Sequence, residues 1–498
     1  MSEQEGANAR ASTGIVGLDE VLSGGLQRRR LYLLEGKPGS GKTTIALQCL
    51  MAAAARGERV IYMTLSETRE ELLSSAVSHG WTLPERMEVF ELLPPENVLD
   101  EGQQQSLLYS ADLELGESTE RIFAEVDRLN PSMVVLDSLS EIRLLAQGSL
   151  RYRRQVLSIK HYFAARGITV LLLDDMTVEG DDKTVHSIAH GVILLEELAP
   201  EYGAERRRLR VVKYRGTSYR GGFHDFTIKA GGVVVFPRLR SVEHRTMFRR
   251  SVSSSGNAEL DLLCGGGLEV GSSALVLGPA GSGKSILAIS FAAAAVSRGE
   301  NATLFLFDEE LGLLHHRMHG LGIDLAALEA TGRLHIEQVD AAELTPGEFT
   351  HRVCGNVERH RSSIVVVDSL NGYQASMPEE QFLTLHIHEL LQYLNRQGVS
   401  TILTVAQHGL VGEMRAPVDV TYLADTVILM RYFEALGRVR RAISVVKKRG
   451  GQHEDSIREY RFGADGMTLG PPLTGFQGIL RGVPTFVGKG EGLLEMPP

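Results

Sequence analysis

Short apolar runs alternate with longer segments of helical spacing along most of the chain, and this alternation occurs twice. Runs that are apolar at every position are typical of strands buried on both faces. The pattern therefore predicts an α/β protein with two units, each a mainly parallel twisted sheet with helices on both faces. The runs of strand length are 31–34, 60–65, 133–136 and 168–173 in the first half, and 274–277, 303–307, 364–367 and 400–405 in the second.

Each half then becomes rich in β-formers, at 209–213, 226–229 and 233–236 and again at 442–447 and 460–462. A stretch rich in Arg and Ser and poor in apolar pattern separates the halves, and a Gly- and Pro-rich stretch closes the chain. The predicted organisation is a flexible lead (1–12), a first domain (13–240), a linker (241–254), a second domain (255–470) and an extended tail (471–498).

The glycine-rich segment GKPGSGKT at 36–43 has a counterpart, GPAGSGKS, at 278–285. Each follows an apolar run and precedes a helical one, and related lead-ins at 13–26 and 255–268 come before them. Lead-ins and loops are both offset by 242 residues. The sequence therefore contains one internal repeat of domain size.

Both segments fit the phosphate-loop pattern, in which backbone N–H groups and a helix N-terminus face a phosphate, Lys reaches the outer phosphates and a hydroxyl ligates Mg²⁺. A glycine turn before a helix is the simpler interpretation, but two copies in matching context argue against it. The predicted ATP-binding residues are Gly36, Gly39, Ser40, Gly41, Lys42, Thr43 and Thr44 in the first loop and Gly278, Gly281, Ser282, Gly283, Lys284, Ser285 and Ile286 in the second.

An apolar strand ends in an acid after each loop, at Asp137 and at Asp368. A carboxylate at the carboxyl end of a strand beside a phosphate loop can hold magnesium, directly or through water. An Asp that caps the following helix is the alternative. The predicted metal ligands are Thr43 with Asp137, and Ser285 with Asp368.

Hydrolysis also needs a group that orients or deprotonates the attacking water. Acidic candidates follow the second strand of each half, in Ser66-Glu67-Thr68 and in Asp308-Glu309-Glu310. A helix cap or a solvated acidic cluster would give the same pattern. The predicted catalytic residues are Glu67, Glu309 and Glu310.

Composition narrows the function classes. The chain has 43% hydrophobic and 23% charged residues and a net charge of -10, which argues against a broadly basic nucleic-acid surface. Its three cysteines are far apart and lack metal-ligand spacing, so no disulfide framework is expected. The apolar run 286–296 is too short to span a bilayer and the first 12 residues are polar. The expected location is the cytoplasm, without membrane contact.

Three further signals favour structural roles. The segment with His315, His316 and His319 has helical spacing that could present two imidazoles to a metal, but without a third ligand in view a polar helix face is favoured. Arginine runs at 28–30, 151–154 and 206–208 could contact nucleic-acid phosphates, but solvated faces or salt bridges are favoured in an acidic chain. Trp81, the only tryptophan, is predicted to pack against the core.

The lead-ins, loops, acids and Asp-Ser-Leu strand ends resemble the KaiC family of tandem RecA-like ATPases, as do the segments 213–218, 447–451 and 475–485. The resemblance extends from about 13 to 487. It implies two tandem RecA-like P-loop NTPase domains, ATP and Mg²⁺ as ligands, and a homohexamer of two stacked rings with ATP between neighbouring subunits.

The resemblance also assigns a Lys-x-Arg pair in each half to the neighbouring subunit's nucleotide. Here the pairs are Lys213 with Arg215 and Lys447 with Arg449. A cation that arrives from a neighbour stabilises charge on the transferring phosphoryl group only once the ring has formed. A solvated basic strand end is the alternative.

The chain departs from the family pattern in two places. The family carries adjacent glutamates in both domains, whereas the first copy has Ser66 before Glu67. That copy is expected either to hydrolyse ATP with one acid or mostly to bind it. The family's clock protein has a Ser-Thr pair where this chain has Thr421-Tyr422, so autokinase activity at Thr421 and a surface threonine at a ring interface are both open.

Motifs and resemblance together predict a slow ATPase switch, with a regulatory protein partner that reads its state. Two alternatives stay open. A DNA-dependent ATPase of the RecA class is disfavoured by the acidic net charge. An ATP-stabilised hexameric scaffold would bind ATP with negligible turnover.

Overall fold

The computed structural model describes residues 10–92, 107–176, 184–199, 203–240, 247–307, 309–375, 380–407, 421–464, 466–481 and 485–487. The chain divides into two compact units, Met1–Arg238 and Leu239–Pro498. The division lies beside the predicted linker, of which residues 241–246 are outside the described part.

The first unit alternates strands and helices and then continues as strands alone. Its elements are β1 (Arg10–Ala11), α1 (Val16–Val21), β2 (Leu26–Gln27), β3 (Leu31–Glu35), α2 (Lys42–Ala55), β4 (Val60–Thr64), α3 (Arg69–Ser78), β5 (Met87–Glu91), α4 (Leu107–Leu129), β6 (Met133–Asp137), α5 (Leu139–Ala146), α6 (Ser149–Ala165), β7 (Thr169–Asp174), α7 (Thr184–Ile188), β8 (Gly191–Leu198), β9 (Arg206–Tyr214), β10 (Phe223–Lys229) and β11 (Gly232–Phe236).

Nine of these strands form one sheet in the order β11-β10-β9-β8-β3-β7-β6-β4-β5. The six strands from β8 to β5 are parallel, and β9, β10 and β11 extend the sheet in antiparallel fashion. Strand β3 lies between β7 and β8 at the centre of the nine-stranded sheet. The loop after it leaves at the carboxyl edge of the parallel strands, where ligands bind in such sheets.

The second unit repeats this plan. Its elements are β12 (Val252–Ser253), α8 (Ala258–Leu263), β13 (Leu268–Glu269), β14 (Ser273–Gly278), α9 (Lys284–Ser297), β15 (Ala302–Leu306), α10 (Leu311–His319), α11 (Leu325–Ala330), β16 (Leu334–Gln338), α12 (Pro346–His360), β17 (Ile364–Asp368), α13 (Leu370–Ala375), α14 (Glu380–Arg396), β18 (Ser400–Ala406), β19 (Thr426–Ala435), β20 (Arg438–Lys448), β21 (Arg458–Gly463), β22 (Gly466–Pro472), β23 (Phe476–Gln477), a 3₁₀ turn (Ile479–Arg481) and β24 (Thr485–Phe486).

Its large sheet has the order β16-β15-β17-β18-β14-β19-β20-β21-β22. This is the order of the first sheet read from β5 to β11, with each strand at the matching position. The predicted fold class, two α/β units with mainly parallel sheets and helices on both faces, is confirmed. Alternate residues of each buried strand serve opposite faces: in β3, Tyr32 and Leu34 join one core cluster and Leu31 and Leu33 the other.

Three smaller observations bear on the sequence predictions. Trp81 packs against the first core, as predicted. The predicted tail begins within β22, and after it Leu473 and Ile479 are buried against Phe433. Among the described helices, none combines the length and the apolar content needed to cross a bilayer.

Phe226 on β10 is fully buried (0% exposed), whereas Val234 on the neighbouring β11 is 46% exposed. Because Phe226→Ala leaves a cavity in the core, we expect it to lower the free energy of unfolding of the first unit by about 3–5 kcal/mol. Urea unfolding followed by Trp81 fluorescence isolates this unit, since it holds the chain's only tryptophan. The control Val234→Ala should change stability by less than about 0.5 kcal/mol; equal losses would contradict the assigned core.

Candidate functional site: two phosphate loops and their acids

The first glycine-rich loop joins β3 to α2 and has no room for side chains at two of its glycines. A Cβ at Gly36 would lie 2.6 Å from Ser40 Oγ and 2.7 Å from Leu195 O. Gly41, which precedes the helix, has φ +96° and a Cβ there would lie 2.6 Å from Ile228 Cδ1. Both positions therefore require glycine.

The second loop, between β14 and α9, has the same constraints. A Cβ at Gly278 would lie 2.7 Å from Met430 O, and one at Gly283, where φ is +98°, would lie 2.1 Å from Phe462 Cε2. The two loops thus share backbone conformation and close packing as well as sequence.

The loop lysines point back over their loops. Lys42 Nζ donates to Gly36 O (2.7 Å) and forms an ion pair with Asp175 (2.9 Å), and Lys284 Nζ donates to Pro279 O (2.8 Å). The two lysines are only 6% and 8% exposed. Burial lowers the pKa of Lys284, and the charge of Asp368 opposes that shift.

Each loop also contains a buried serine hydroxyl, Ser40 Oγ and Ser282 Oγ, for which the described residues provide no hydrogen-bond partner. A buried polar group normally has a partner. These hydroxyls and the loop N–H groups are suited to a bound phosphate, which fits the predicted nucleotide site.

The first metal acid lies at the carboxyl end of β6. Asp137 is buried and accepts a hydrogen bond from the Tyr62 hydroxyl, which also interacts with Thr43. Burial and then the charge of Asp175 raise the pKa of Asp137, while Tyr62 and Lys42 oppose the shift. Burial and then Asp137 likewise raise the pKa of Glu67. The first site thus brings Lys42, Thr43, Glu67 and Asp137 together.

The second metal acid, Asp368, lies at the end of β17 and accepts a hydrogen bond from the Thr404 hydroxyl. The two acids therefore receive hydroxyl donors from opposite neighbouring strands. Tyr62 is on β4 and Thr404 is on β18; the residues at the corresponding positions of the other repeat, Leu304 and Leu173, have no hydroxyl.

The acids of the second repeat are in different environments. Both carboxylate oxygens of Glu310 accept backbone N–H bonds, from Gly312 and Leu313 at 2.8 Å, and these bonds lower its pKa. Glu310 is therefore the N-cap of α10. Glu309 forms a two-bond ion pair with Arg317.

The repeat offset of 242 matches Glu309 with Glu67 and Glu310 with Thr68, which is the N-cap of α3. Glu309 and Glu310 are equivalent candidates by sequence, but their contacts differ. Asp308, the other acid of this cluster, lies outside the described residues.

The Lys-x-Arg pairs lie at the opposite edge of each sheet. Leu33 on β3 pairs with Val192 on β8, and Val192 pairs with Lys213 on β9. Since β9 runs antiparallel to β8, the end of β9 lies away from the phosphate loop. At 3.3 Å per residue, Lys213 and Arg215 are about 10–16 Å from the start of the loop at Gly36, measured along β3. Lys447 and Arg449 have the same placement beside β14.

These cations bind backbone carbonyls. Lys213 donates to His186 O and Arg215 to Ser187 O, at the end of α7. In the second repeat, Lys447 donates to Thr421 O and Ala424 O (both 2.8 Å) and Arg449 to Tyr422 O (2.7 Å). The turn that carries the predicted phosphosite Thr421 is thus held by the two cations.

The histidine segment and two of the arginine runs noted in the sequence form ion pairs within the first and second units. His315 pairs with Glu329 at 3.1 Å, and the described ranges contain no group of three or more His, Cys, Asp or Glu side chains placed to hold a metal ion. Arg28 pairs with Glu58, whose pKa it lowers to about 2, and Arg208 pairs with Glu196.

Sequence reasoning missed four residues of the two sites: Tyr62, Asp175, Thr404 and Arg317. Asp175 directly follows β7, a strand next to β3, so the convergence of strand ends at one sheet edge could have indicated it. Tyr62 and Thr404 are buried within apolar strands, and Arg317 is one of several polar residues on its helix. Nothing in the sequence pattern distinguishes these three.

The chain has two glycine-rich loops with buried lysines, and each lies beside a strand that ends in an aspartate in a mainly parallel sheet. These features define a tandem P-loop nucleotide-binding protein. A family model described as the KaiC ATPase matches residues 11–240 and 253–473, and the chain belongs to the KaiC family. The resemblance drawn from the motifs is confirmed, and with it membership of a P-loop ATPase family.

Named relatives match along almost the whole chain. The circadian clock protein KaiC3 of Synechocystis is 27% identical over 490 residues, covering 97% of this chain and 96% of the relative. The circadian clock oscillator protein KaiC of Acaryochloris marina is 27% identical over 489 residues (96% and 92%), and that of Synechococcus elongatus is 26% identical over 490 residues (97% and 93%).

Because its pKa is raised, Asp137 binds a proton more tightly in the folded protein than in the unfolded chain. The free energy of unfolding should therefore fall as pH rises from the unfolded value of about 3.9 through the folded value. Asp137→Asn removes this cost. Without nucleotide and Mg²⁺, we expect it to raise the urea midpoint of the first unit near neutral pH and to have little effect at acid pH.

The control for this prediction is Asp127→Asn. Arg166 lowers the pKa of Asp127, so its removal should leave the midpoint unchanged or lower it. A lower midpoint for Asp137→Asn at neutral pH, read from Trp81 fluorescence, would contradict the electrostatic account of the site.

Proposed function

We propose that this protein hydrolyses ATP at the interfaces between subunits of a homohexamer with two stacked rings, and acts as a slow regulatory switch. The observation that carries the proposal is the position of the Lys-x-Arg pairs, at the sheet edge opposite each phosphate loop. A cation about 10–16 Å along the sheet from its own loop is suited to serve a neighbour's nucleotide.

Within one subunit, Lys42 with Thr43 and Lys284 with Ser285 bind the triphosphate together with the remaining loop residues. Thr43 with Asp137, and Ser285 with Asp368, are oxygen donors of the kind that Mg²⁺ prefers. Bound there, the ion would neutralise charge on the outer phosphates. Tyr62 orients the Asp137 carboxylate, and Thr404 orients that of Asp368.

Water activation belongs to Glu67 in the first ring and Glu309 in the second. The raised pKa of Glu67 suits a general base, because it brings the carboxylate closer to operating pH. Glu309 must leave Arg317 to act. Glu310 keeps its place as a helix cap, because both its oxygens are engaged by backbone N–H groups.

The cations that complete each site from the neighbour are Lys213 and Arg215 in one ring and Lys447 and Arg449 in the other. Their carbonyl contacts couple ring packing to the turns they hold, and a regulatory protein partner would read the resulting population shift. We assign the protein to the cytoplasm, with no nucleic-acid ligand, on its acidic charge and its dispersed cysteines.

Autophosphorylation at Thr421 is a second activity that one observation favours. Thr421 is on the turn held by Lys447 and Arg449, so it would face the same neighbouring nucleotide as those cations. Intact mass after incubation with ATP tests this activity, with Thr421→Ala as the control.

We expect Glu67→Gln and Glu309→Gln each to remove part of the ATP turnover of the purified protein, and the double variant to lose about 100-fold or more. Glu310→Gln, the matched control, keeps an amide oxygen for the helix cap and should remain close to wild type. A near-background wild-type rate that neither variant changes would favour the scaffold alternative. Strong stimulation by single-stranded DNA would favour the DNA-dependent alternative.

Mixing subunits tests the interface. In a Glu67→Gln background, Lys284→Ala and Arg449→Ala should each abolish turnover by the second ring. Random co-assembly of equal amounts gives about one quarter of interfaces with an intact loop on one side and an intact arginine on the other. We therefore expect about a quarter of the parental rate to return. No recovery in assembled mixtures would place Arg449 in its own subunit's site or outside catalysis.

A further inference from the structure

The first unit contains a cavity of about 190 Å³ at the sheet edge away from the phosphate loop. Its floor is apolar, formed by side chains that include Phe163, Ile168 and Val170, and α6 closes one side. A dry cavity of about 150 Å³ accommodates benzene, so this one has room for an aromatic ring and a small substituent.

The rim of the cavity is cationic. Arg30, Lys160 and Arg215 line it together with His190, and the described lining includes no Asp or Glu. Within the described part of the chain, no carboxylate forms a salt bridge with these three cations; Lys160 and Arg215 donate to the carbonyls of Ile188 and Ser187. The positive charge of the rim is therefore not neutralised by a carboxylate of the described residues.

Burial and the positive charge at the rim lower the pKa values of His190 and Lys213. Burial and then the charges of Arg30, Arg215 and Lys213 lower the pKa of His190 to about 4. Burial and then Arg215 and Lys160 lower the pKa of Lys213. An anion at the rim would relieve the repulsion that these shifts report.

The second repeat has an aromatic ring at the corresponding corner of its sheet. Phe248 lies against Gly271 and Gly398; a Cβ at these glycines would come within 2.5 and 2.7 Å of the ring. Their counterparts in the first repeat are Arg29 and Gly167, where the Arg29 stem lies beside the cavity. The position that the phenyl ring takes in the second repeat is thus taken by the stem of Arg29 in the first, and the cavity lies beside that cation.

We propose that this cavity is a binding site for a small aromatic anion. The ring of the ligand packs on Phe163 and Ile168. Its anionic group lies between Arg30, Lys160 and Arg215. Since Arg215 is also a proposed interface cation, occupancy would couple to the first ring, but binding itself does not depend on ATP hydrolysis.

The test is titration of the full-length protein with naphthalene-2-sulfonate, followed by the ligand's fluorescence, with ADP and Mg²⁺ present in excess to fill the phosphate loops. Ala164 is an exposed helix residue that lines the cavity, whereas the adjacent exposed Ala165 does not. We expect Ala164→Phe to weaken binding about tenfold or more by filling the space, and the matched control Ala165→Phe to bind as wild type.

Two charge controls complete the test. Lys160→Gln should weaken binding severalfold, and uncharged naphthalene should bind about tenfold more weakly than the sulfonate. Equal affinity of the two alanine variants, absence of binding to the wild type, or equal affinity for naphthalene and its sulfonate would each overturn the proposal. Circular dichroism of each variant confirms that the fold is retained. The outcome is independent of the proposed ATPase, because turnover is not the readout.

Discussion

The position of β3 in the first sheet, and of β14 in the second, is the constraint on which both candidate sites depend. Each of these strands lies between two parallel neighbours, so its loop emerges at the carboxyl edge beside other strand ends that carry acids. The antiparallel return of β9 and β20 brings the Lys-x-Arg pairs to the opposite edge. One sheet order therefore separates each phosphate loop from the Lys-x-Arg pair of the same subunit.

The first site concentrates carboxylates around one buried lysine. Burial and the charge of Asp175 raise the pKa of Asp137, and burial and the charges of Asp137 and Asp175 raise that of Glu67; Lys42 offsets only part of each shift. Carboxylates with raised pKa values clustered beside a phosphate loop are a familiar feature of functional sites.

The two repeats share their topology but differ in their contacts. The hydroxyl that binds the strand-end acid comes from β4 in one repeat and β18 in the other. An ion pair with Arg317 holds Glu309, whereas Ser75 stands at the matching position of the first repeat. Phe248 packs over Gly398 in the second repeat, whereas Arg29 packs over the matching Gly167 in the first. Such differences allow one fold to support two sites with separate rates and ligands.

The sequence by itself determined the fold class, the repeat, the phosphate loops and the acids at the strand ends, because these depend on local pattern: apolar runs, glycines at fixed spacing and an acid after a strand. The tertiary structure alone distinguished Glu309 from Glu310, since capping depends on where α10 begins. It alone brought Tyr62 to Asp137, and it alone left a cationic cavity beside Arg30. Such contacts join residues far apart in the chain, and their geometry is set by packing that no local pattern encodes.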